Sequence, residues 1–486
     1  MNLAPLLILA LGGLGAESAS AVRSAEPVHI GSRLEPFVDA YLIERMEGTA
    51  FKLHTPVDAG QAFAFDKPWE GPFSAYVTVL RDGQRYRAYY RGAPVSNHEG
   101  HEPEVTCVAE STDGIRWTKP ELGLFEVRGQ RAGNVVLAGD PPFSHNFAPF
   151  VDTRPGVPAA ERYKALAGIG QTGLKAFVSA DGLRWRPLRD EPVLRHDRSS
   201  FDSQNVAFWS EHEGCYVCYF RTWHERIRRI SRSTSKDFLN WTEPVRMEYG
   251  DAPIEHLYTN QTHPYFRAPH IYVAIAARFM PGRQVLTEQQ ARTVGVDLKY
   301  FKDCSDAVLL TTRGGNRYDR VCLEGFIRPG VGLENWTSRT NYPAWGVVPT
   351  GPAEMSLYVQ HAYGQPRHEL RRYVLRTDGF VSVNAPARGG EMVTRPIVFT
   401  GRELVANFAT SAAGEIRVEI QDPSGSPLPG FALDDAIMLI GNEIERTVSW
   451  KAGSDVSRLA GRPVRLRFVM KDADLYSLRF KAGESQ

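Results

Sequence analysis

The chain has 486 residues, of which 42% are hydrophobic and 11% aromatic, so it can bury large cores and exceeds the length of one ordinary domain. Its 57 basic and 56 acidic residues give a formal net charge of +1. Without a basic field, the chain is not expected to bind nucleic acid or an anionic membrane surface.

The first 21 residues are predicted to be an export signal. Leu6 to Leu14 form a short apolar run, and Ala19-Ser20-Ala21 has the small-residue pattern of a cleavage site. The run is shorter than the ~20 residues that a membrane span needs, although an uncleaved anchor is the alternative. We therefore expect residues 1–21 to be removed and the mature protein to be periplasmic or extracellular, without membrane insertion.

The cysteines and the short motifs predict neither a metal site nor a cofactor. An odd number of irregularly spaced cysteines is not a disulfide framework. Cys215 and Cys218 form a C-x-x-C inside an apolar strand, where positions i and i+3 point to opposite faces of the sheet. The chain also lacks a G-x-S-x-G elbow, a phosphate-binding glycine loop and an H-E-x-x-H motif.

One element of the form Ser/Thr-x-Asp-Gly-x-x-aromatic recurs along the chain, and the copy at Thr312 is degraded. It predicts a β-hairpin, because Asp-Gly favours a tight turn between two strands. A pair of apolar strands precedes each copy, so each repeat contains four strands. The five copies begin at Ser111, Ser179, Ser235, Thr312 and Arg376.

Five repeats of four strands predict a five-bladed β-propeller. A six-bladed propeller with one eroded blade, or a pair of β-sandwiches, is the alternative. From Met392 the chain continues in short alternating strands with tight turns, which predict a small β-sandwich. The predicted fold class is therefore all-β, with a propeller over residues 26–390 and a C-terminal sandwich over residues 391–486.

Five stretches carry a resemblance to a known group: FVDAYLIE from Phe37, FDSQNVAFW from Phe201, EGFIRPG from Glu324, ANFATSAAGEIRVEIQD from Ala406 and KDADLYSLRF from Lys471. They resemble exported, planctomycete-type glycosyl-hydrolase-like proteins. The architecture is similar to the five-bladed propeller superfamily that includes glycoside hydrolase families 32 and 43. The resemblance implies a carbohydrate substrate and cleavage of a glycosidic bond.

Polar segments precede the predicted innermost strand of every blade, where a propeller gathers side chains round its axis. Glycosidic cleavage needs two carboxyl groups, one to protonate the leaving oxygen and one to activate water or attack the sugar. The resemblance implies one Asp in blade one, a second Asp in blade three and an acidic Glu in blade four. Asp202 corresponds to the blade-three Asp. Asp39 or Glu70 is the expected blade-one acid, and Glu324 or Glu255 is the expected proton donor.

Other side chains in these segments are expected to bind substrate. His145 is a hydrogen-bond donor or an alternative acid, and the arginines suit a carboxylate or sulfate if they face inward. The predicted substrate-binding residues are His145, Asn146, Gln204, Arg221, Tyr258, Trp336 and Arg339.

The sequence thus favours a glycoside hydrolase that acts on a polysaccharide or oligosaccharide with paired carboxylates in the propeller funnel. The alternative is a non-catalytic glycan-binding propeller, which would lack two converging carboxyl groups. A scaffold protein and a sialidase are weaker hypotheses.

Overall fold

The computed structural model describes residues 26–482, so the predicted signal sequence at residues 1–21 lies outside the described residues. The fold is almost entirely β, and five separate antiparallel sheets form a five-bladed β-propeller, as the repeats predict. Within residues 26–482, no helix is long and apolar enough to cross a membrane.

Blades one to three follow one another along the chain after five N-terminal strands, β1 (Val28–Gly31), β2 (Glu35–Pro36), β3 (Ile43–Glu47), β4 (Ala50–Leu53) and β5 (Val57–Ala64). Blade one contains β6 (Ala75–Asp82), β7 (Arg85–Gly92) and β8 (Val105–Ser111), then the separate hairpin of β9 (Phe125–Val127) and β10 (Gln130–Ala132), and ends with β11 (Val135–Leu137). Blade two begins after helix α1 (Pro141–Ser144) and contains β12 (Ala148–Val151), β13 (Tyr163–Ala167), β14 (Lys175–Ser179) and β15 (Arg186–Pro187). Blade three contains β16 (Val206–Ser210), β17 (Cys215–His224), β18 (Ile227–Ser235) and β19 (Val245–Arg246).

Blades four and five have interrupted inner strands. Blade four contains β20 (Leu257–Thr259), β21 (His263–Tyr265), β22 (Ala268–Met280) and β23 (Cys304–Thr312), with helix α2 (Glu288–Val294) between the last two. Blade five contains β24 (Tyr342–Pro343), β25 (Val348–Pro349), β26 (Glu354–His361) and β27 (Glu369–Arg376). Its outermost strand is the N-terminal β5, which pairs with β27 and completes the last blade.

The fifth repeat differs from the predicted hairpin. The strand after its turn, β28 (Val381–Ala385), does not pair with β27 but joins β4 and the C-terminal sheet. The reason lies at the turn residue Asp378, which has a φ of 62° and a fully buried carboxylate. That carboxylate accepts hydrogen bonds from Tyr265 at 2.6 Å, Ser477 at 2.7 Å and Asn407 at 2.9 Å, so the turn is fixed against the C-terminal strands.

The intact repeats are held by their Asp side chains. In blade two, Asp181 Oδ1 accepts hydrogen bonds from the backbone amides of Leu183 at 2.8 Å and Arg184 at 2.9 Å. Asp113 and Asp237 make the equivalent contacts in blades one and three. These bonds close the turn locally, which is why the repeat is visible in the sequence.

The C-terminal strands surround a second core. They are β28, β29 (Gly390–Thr394), β30 (Ile397–Phe399), β31 (Glu403–Gln421), β32 (Asn442–Thr447) and β33 (Arg465–Lys481). Strands β31 and β33 form the longest ladder, and Phe399 stacks on Phe480 with ring centroids 3.7 Å apart. Residues 28–53, which fall inside the predicted propeller range, pair with these strands through β1 to β4.

Amide side chains connect the inner strands of different blades across the propeller axis. Gln204 Nε2 donates to Thr78 Oγ1 at 2.6 Å, and Gln261 Nε2 donates to Gln204 Oε1 at 2.8 Å and to the Pro343 carbonyl at 2.7 Å. These bonds connect blades one, three, four and five. The axis is therefore closed by polar groups, with one cavity at the end where the inner strands begin and another where they finish.

Candidate active site

A cavity of about 390 Å³ lies at the end of the propeller where the inner strands begin. Every inner strand enters from this side, so the residues on or just before the strand starts converge. Each blade supplies one such side chain to the cavity wall: Tyr76, His145, Asp202, Tyr258 and Arg339. Four of these five residues belong to the set that the sequence suggests.

The loop between β7 and β8 forms a second wall of the cavity, and sequence reasoning missed it. Its lining residues include His98, Glu99, His101 and Glu104. The available signal was the density of titratable groups, because the segment HEGHEPE from His98 contains two histidines and three glutamates. Tyr300 and Tyr363 add aromatic faces to the same cavity, together with Phe73, Ala93, Val95, Ser96, Asn97 and Gln171.

A buried cluster of Glu104, His145 and Arg91 occupies one side of the cavity. His145 Nδ1 lies 2.8 Å from Glu104 Oε2, and Arg91 Nη1 lies 3.2 Å from the same histidine nitrogen. Burial raises the pKa of Glu104, but His145 and Arg91 lower it more, so the net pKa lies below its usual range. Burial lowers the pKa of His145, and the Glu104 carboxylate offsets only part of this effect. The resting state at neutral pH is therefore an ionised Glu104 beside a neutral His145.

Asp202 supplies a second carboxyl group from blade three. It follows Phe201, whose φ of 67° turns the chain just before the inner strand. Arg221, which is only 1% exposed, forms an ion pair with the Asp202 carboxylate, and the Tyr76 hydroxyl donates to the Asp202 carbonyl at 3.1 Å. The ion pair fixes the Asp202 carboxylate at the cavity wall.

Tyr258 lies among three arginines. The guanidinium carbons of Arg221, Arg228 and Arg339 are 4.5, 5.0 and 5.6 Å from the centre of its ring. Burial raises the pKa of Tyr258, but Arg339, Arg221 and Arg228 together lower it to about 7. This tyrosine therefore titrates near neutral pH, unlike an ordinary tyrosine.

Two of the predicted binding residues lie outside the cavity and bond to other blades. Asn146 is fully buried, and its Nδ2 donates to the carbonyl oxygens of Gly168, Phe201 and Ser203 at 2.6–2.9 Å. Gln204 belongs to the amide bridge across the axis. Neither lines the cavity; both connect neighbouring blades beneath it.

Asp39 and Glu70 lie away from the cavity, each in its own ion-pair network. Asp39 Oδ2 accepts from Arg313 Nε at 2.7 Å, between β2 and β3. Glu70 is fully buried, accepts from Tyr90 at 2.7 Å and pairs with Lys119. Each acid is paired with a neighbouring positive charge that the local sequence does not reveal, and neither faces the cavity.

Glu255, Glu324 and Trp336 also lie outside the cavity. Glu255 pairs with Arg278 at 2.8 Å and with Arg320. Burial raises the pKa of Glu255, but these two arginines lower it by more, so the net pKa lies below its usual value. A proton donor needs a raised pKa. Glu324 is exposed. The half-buried Trp336 indole donates to the Gly330 carbonyl at 3.1 Å and does not face the cavity.

The cavity has no donor set for a metal. Across residues 26–482, no group of three or more His, Cys, Asp or Glu side chains is arranged to bind an ion.

No protein-family model and no curated protein matches the chain. Among solved structures, it is similar to a glycoside hydrolase, with 12% identity and a TM-score of 0.46 over 66% of this chain and 92% of that one. It is also similar to a fructofuranosidase from Schwanniomyces occidentalis, with 10% identity and a TM-score of 0.40 over 86% and 96% of the two chains. A third is the GH62 alpha-L-arabinofuranosidase catalytic domain of Coprinopsis cinerea, with 10% identity and a TM-score of 0.42 over 67% and 98%. Because these three TM-scores are below 0.5, the fold is assigned from the strand pairing of the chain itself.

Proposed function

We propose that the protein is a glycoside hydrolase that cleaves a glycosidic bond of an oligosaccharide or polysaccharide in this cavity. One observation carries the proposal: two carboxyl groups from different parts of the chain, Asp202 and Glu104, face a single polar cavity whose volume suits a small ligand. Glycosidic cleavage requires a carboxylate that activates water or attacks the sugar and a second group that delivers a proton to the leaving oxygen; Asp202 can supply the first, and Glu104 supports the second through His145.

The charges in the cavity suggest separate roles for these groups. Asp202, paired with Arg221, is an ionised carboxylate that activates water or attacks the anomeric carbon. His145, in its protonated form, donates a proton to the leaving oxygen, and Glu104 acts through His145 by stabilising the imidazolium. Where Asp202 activates water, it takes one proton from that water as the C–O bond breaks and releases it to solvent, and His145 regains its own proton from solvent. Where Asp202 attacks, water then cleaves the glycosyl ester and its proton returns to His145, so that either route consumes one water.

This assignment predicts a specific pH dependence. The reaction needs protonated His145, whose pKa lies below the ordinary histidine value, so kcat/KM falls as the pH rises through that pKa. Removing the Glu104 charge lowers the His145 pKa further. The Glu104→Gln variant should therefore lose its activity at a lower pH than the wild type.

The test is a screen of the purified protein against plant and algal glycans, sulfated ones included, with release of new reducing ends as the readout. On a glycan that is cleaved, Asp202→Asn and His145→Gln should each lower kcat by about 10²–10⁴-fold. Glu255→Gln, which changes an acid outside the cavity, is the matched control and should keep its turnover. Glycan binding without release of reducing ends would contradict the hydrolase proposal and leave the glycan-binding alternative.

A further inference from the structure

The positive charges around the cavity are not all neutralised by carboxylates. Arg221 is paired with Asp202, and Arg91 lies 3.9 Å from Glu104. Within residues 26–482, Arg339 has no carboxylate within 4.0 Å, although it lines the cavity. Its guanidinium makes a long hydrogen bond of 3.5 Å to the Tyr300 hydroxyl and lies beside the Tyr363 phenol, which are both neutral partners. A half-buried cation with so few partners is available to a ligand.

The backbone of Arg339 is fixed in an unusual conformation. Its φ is 61°, in the left-handed region that favours glycine, and a non-glycine residue stays there only where the surroundings impose it. The Arg339 amide donates to Ser305 Oγ at 3.0 Å, and its carbonyl accepts from Gln360 Nε2 at 2.7 Å. Two aromatic rings, Tyr258 and Tyr300, lie 5.6 and 5.0 Å from the guanidinium carbon. These contacts position the guanidinium at the cavity without consuming its hydrogen-bonding capacity.

We propose that the sugar bound in this cavity carries an anionic substituent, a carboxylate or a sulfate, and that Arg339 is the residue that recognises it. A guanidinium presents paired N–H donors that match the oxygens of such groups, whereas a neutral hydroxyl gains little from a full positive charge. This inference deepens the proposed function, because it names the substrate class of the same site.

The Tyr258 hydroxyl is the competing source of negative charge. If it ionises, the tyrosinate neutralises the arginines in the empty site. A bound anion would then add a second negative charge nearby and raise the pKa of Tyr258. Ligand binding and the ionisation of Tyr258 are therefore coupled, which gives the proposal an optical readout in addition to affinity.

The experiment is isothermal titration calorimetry of the full chain with matched pairs of charged and neutral ligands. One arm compares oligogalacturonate with its methyl ester, and the other compares a sulfated galactan oligosaccharide with its desulfated form. In at least one arm, the charged member should bind about 10- to 100-fold more tightly than its neutral match, as expected for a hydrogen bond between charged groups. The arm that shows the preference identifies carboxylate or sulfate.

Substitutions assign the preference to the residue. Arg339→Gln should abolish the preference for the charged ligand, and Arg339→Lys should retain part of it, because the charge remains but the fork is lost. Arg195→Gln, at an exposed arginine outside the cavity, is the matched control and should bind as the wild type does. Circular dichroism checks that each variant is folded; the backbone hydrogen bonds of residue 339 do not depend on its side chain.

The two proposals fail differently. Equal binding of charged and neutral ligands, no binding in either arm, or a preference that survives in folded Arg339→Gln would overturn the anionic-substrate inference. A clear preference for the charged ligand without release of reducing ends would sustain it and contradict only the hydrolase. In the presence of the charged ligand that binds, the midpoint of the Tyr258 absorbance titration should rise in the wild type. An unchanged midpoint would mean that the anion binds elsewhere and would contradict the role of Arg339.

Discussion

Replacing Glu70 by Gln tests whether this acid stabilises the fold or takes part in catalysis. Glu70 is fully buried, and its Oε1 accepts from Tyr90 at 2.7 Å and Asn134 at 3.0 Å. Its Oε2 accepts from the Lys67 amide at 3.1 Å and from the Lys119 ammonium group. A glutamine can satisfy one of these pairs of donors, but its NH₂ group then faces the other pair.

The magnitude follows from the lost contacts. If Oε1 keeps its two partners, the variant loses two bonds, one of them to the half-buried Lys119, and its NH₂ group faces two other donors. At roughly 1.5–3 kcal/mol for each of the two bonds to a charged group, the free energy of unfolding should fall by about 3–6 kcal/mol. Catalytic turnover of the folded protein should not change, because Glu70 does not line the cavity.

Urea denaturation followed by tryptophan fluorescence measures the change. Glu121→Gln is the control, since Glu121 is 76% exposed and its contact with Lys67 is 3.7 Å long. It should alter the free energy of unfolding by less than about 0.5 kcal/mol. If Glu70→Gln unfolds like the wild type yet loses turnover, the structural assignment of Glu70 is wrong and the blade-one acid predicted from the sequence returns as a catalytic group.

Three further predictions concern the blades and the arginine cluster. Phe63→Ala, on the strand that closes blade five, should lower the free energy of unfolding by about 3–5 kcal/mol in urea denaturation. Val57→Ala, on the exposed part of the same strand, is the control and should change it little. Equal effects would contradict the role of β5 in completing blade five. Asp181→Ala removes the acceptor of two turn amides and should cost about 1–3 kcal/mol in the same assay, and an unchanged value would mean that the turn forms without it. A tyrosinate absorbance signal should titrate with a midpoint of about 7 in the wild type and be absent in Tyr258→Phe; a signal only at the pH of an ordinary tyrosine would contradict the effect of the arginines.

The blades could be predicted because their signals are local. Each Asp-Gly turn is closed by hydrogen bonds within a few residues, as at Asp181, so the turn leaves a compact pattern in the sequence. The closing strand left no such pattern, because Val57–Ala64 pairs with Glu369–Arg376 some three hundred residues later. The same holds for the turn at Asp378, whose partners Tyr265 and Ser477 lie far away in the chain.

The candidate site was predicted in part for the same reason. Residues just before inner strands, such as Asp202 and Arg339, follow from the blade pattern, and they do line the cavity. The choice among acids depends on neighbours that only the fold brings together. Glu70 and Glu104 both precede strands of blade one, but Lys119 neutralises the first, and His145 links the second to the cavity.

The most direct test of the proposed site is a crystal structure of the Asp202→Asn variant soaked with a cleavable oligosaccharide. We expect one sugar ring to occupy the cavity at the strand starts, with its glycosidic oxygen within hydrogen-bonding distance of His145 and its anomeric carbon facing residue 202. Sugar bound instead in the cavity of about 480 Å³ at the opposite end of the axis, beside Trp345, would contradict the assignment.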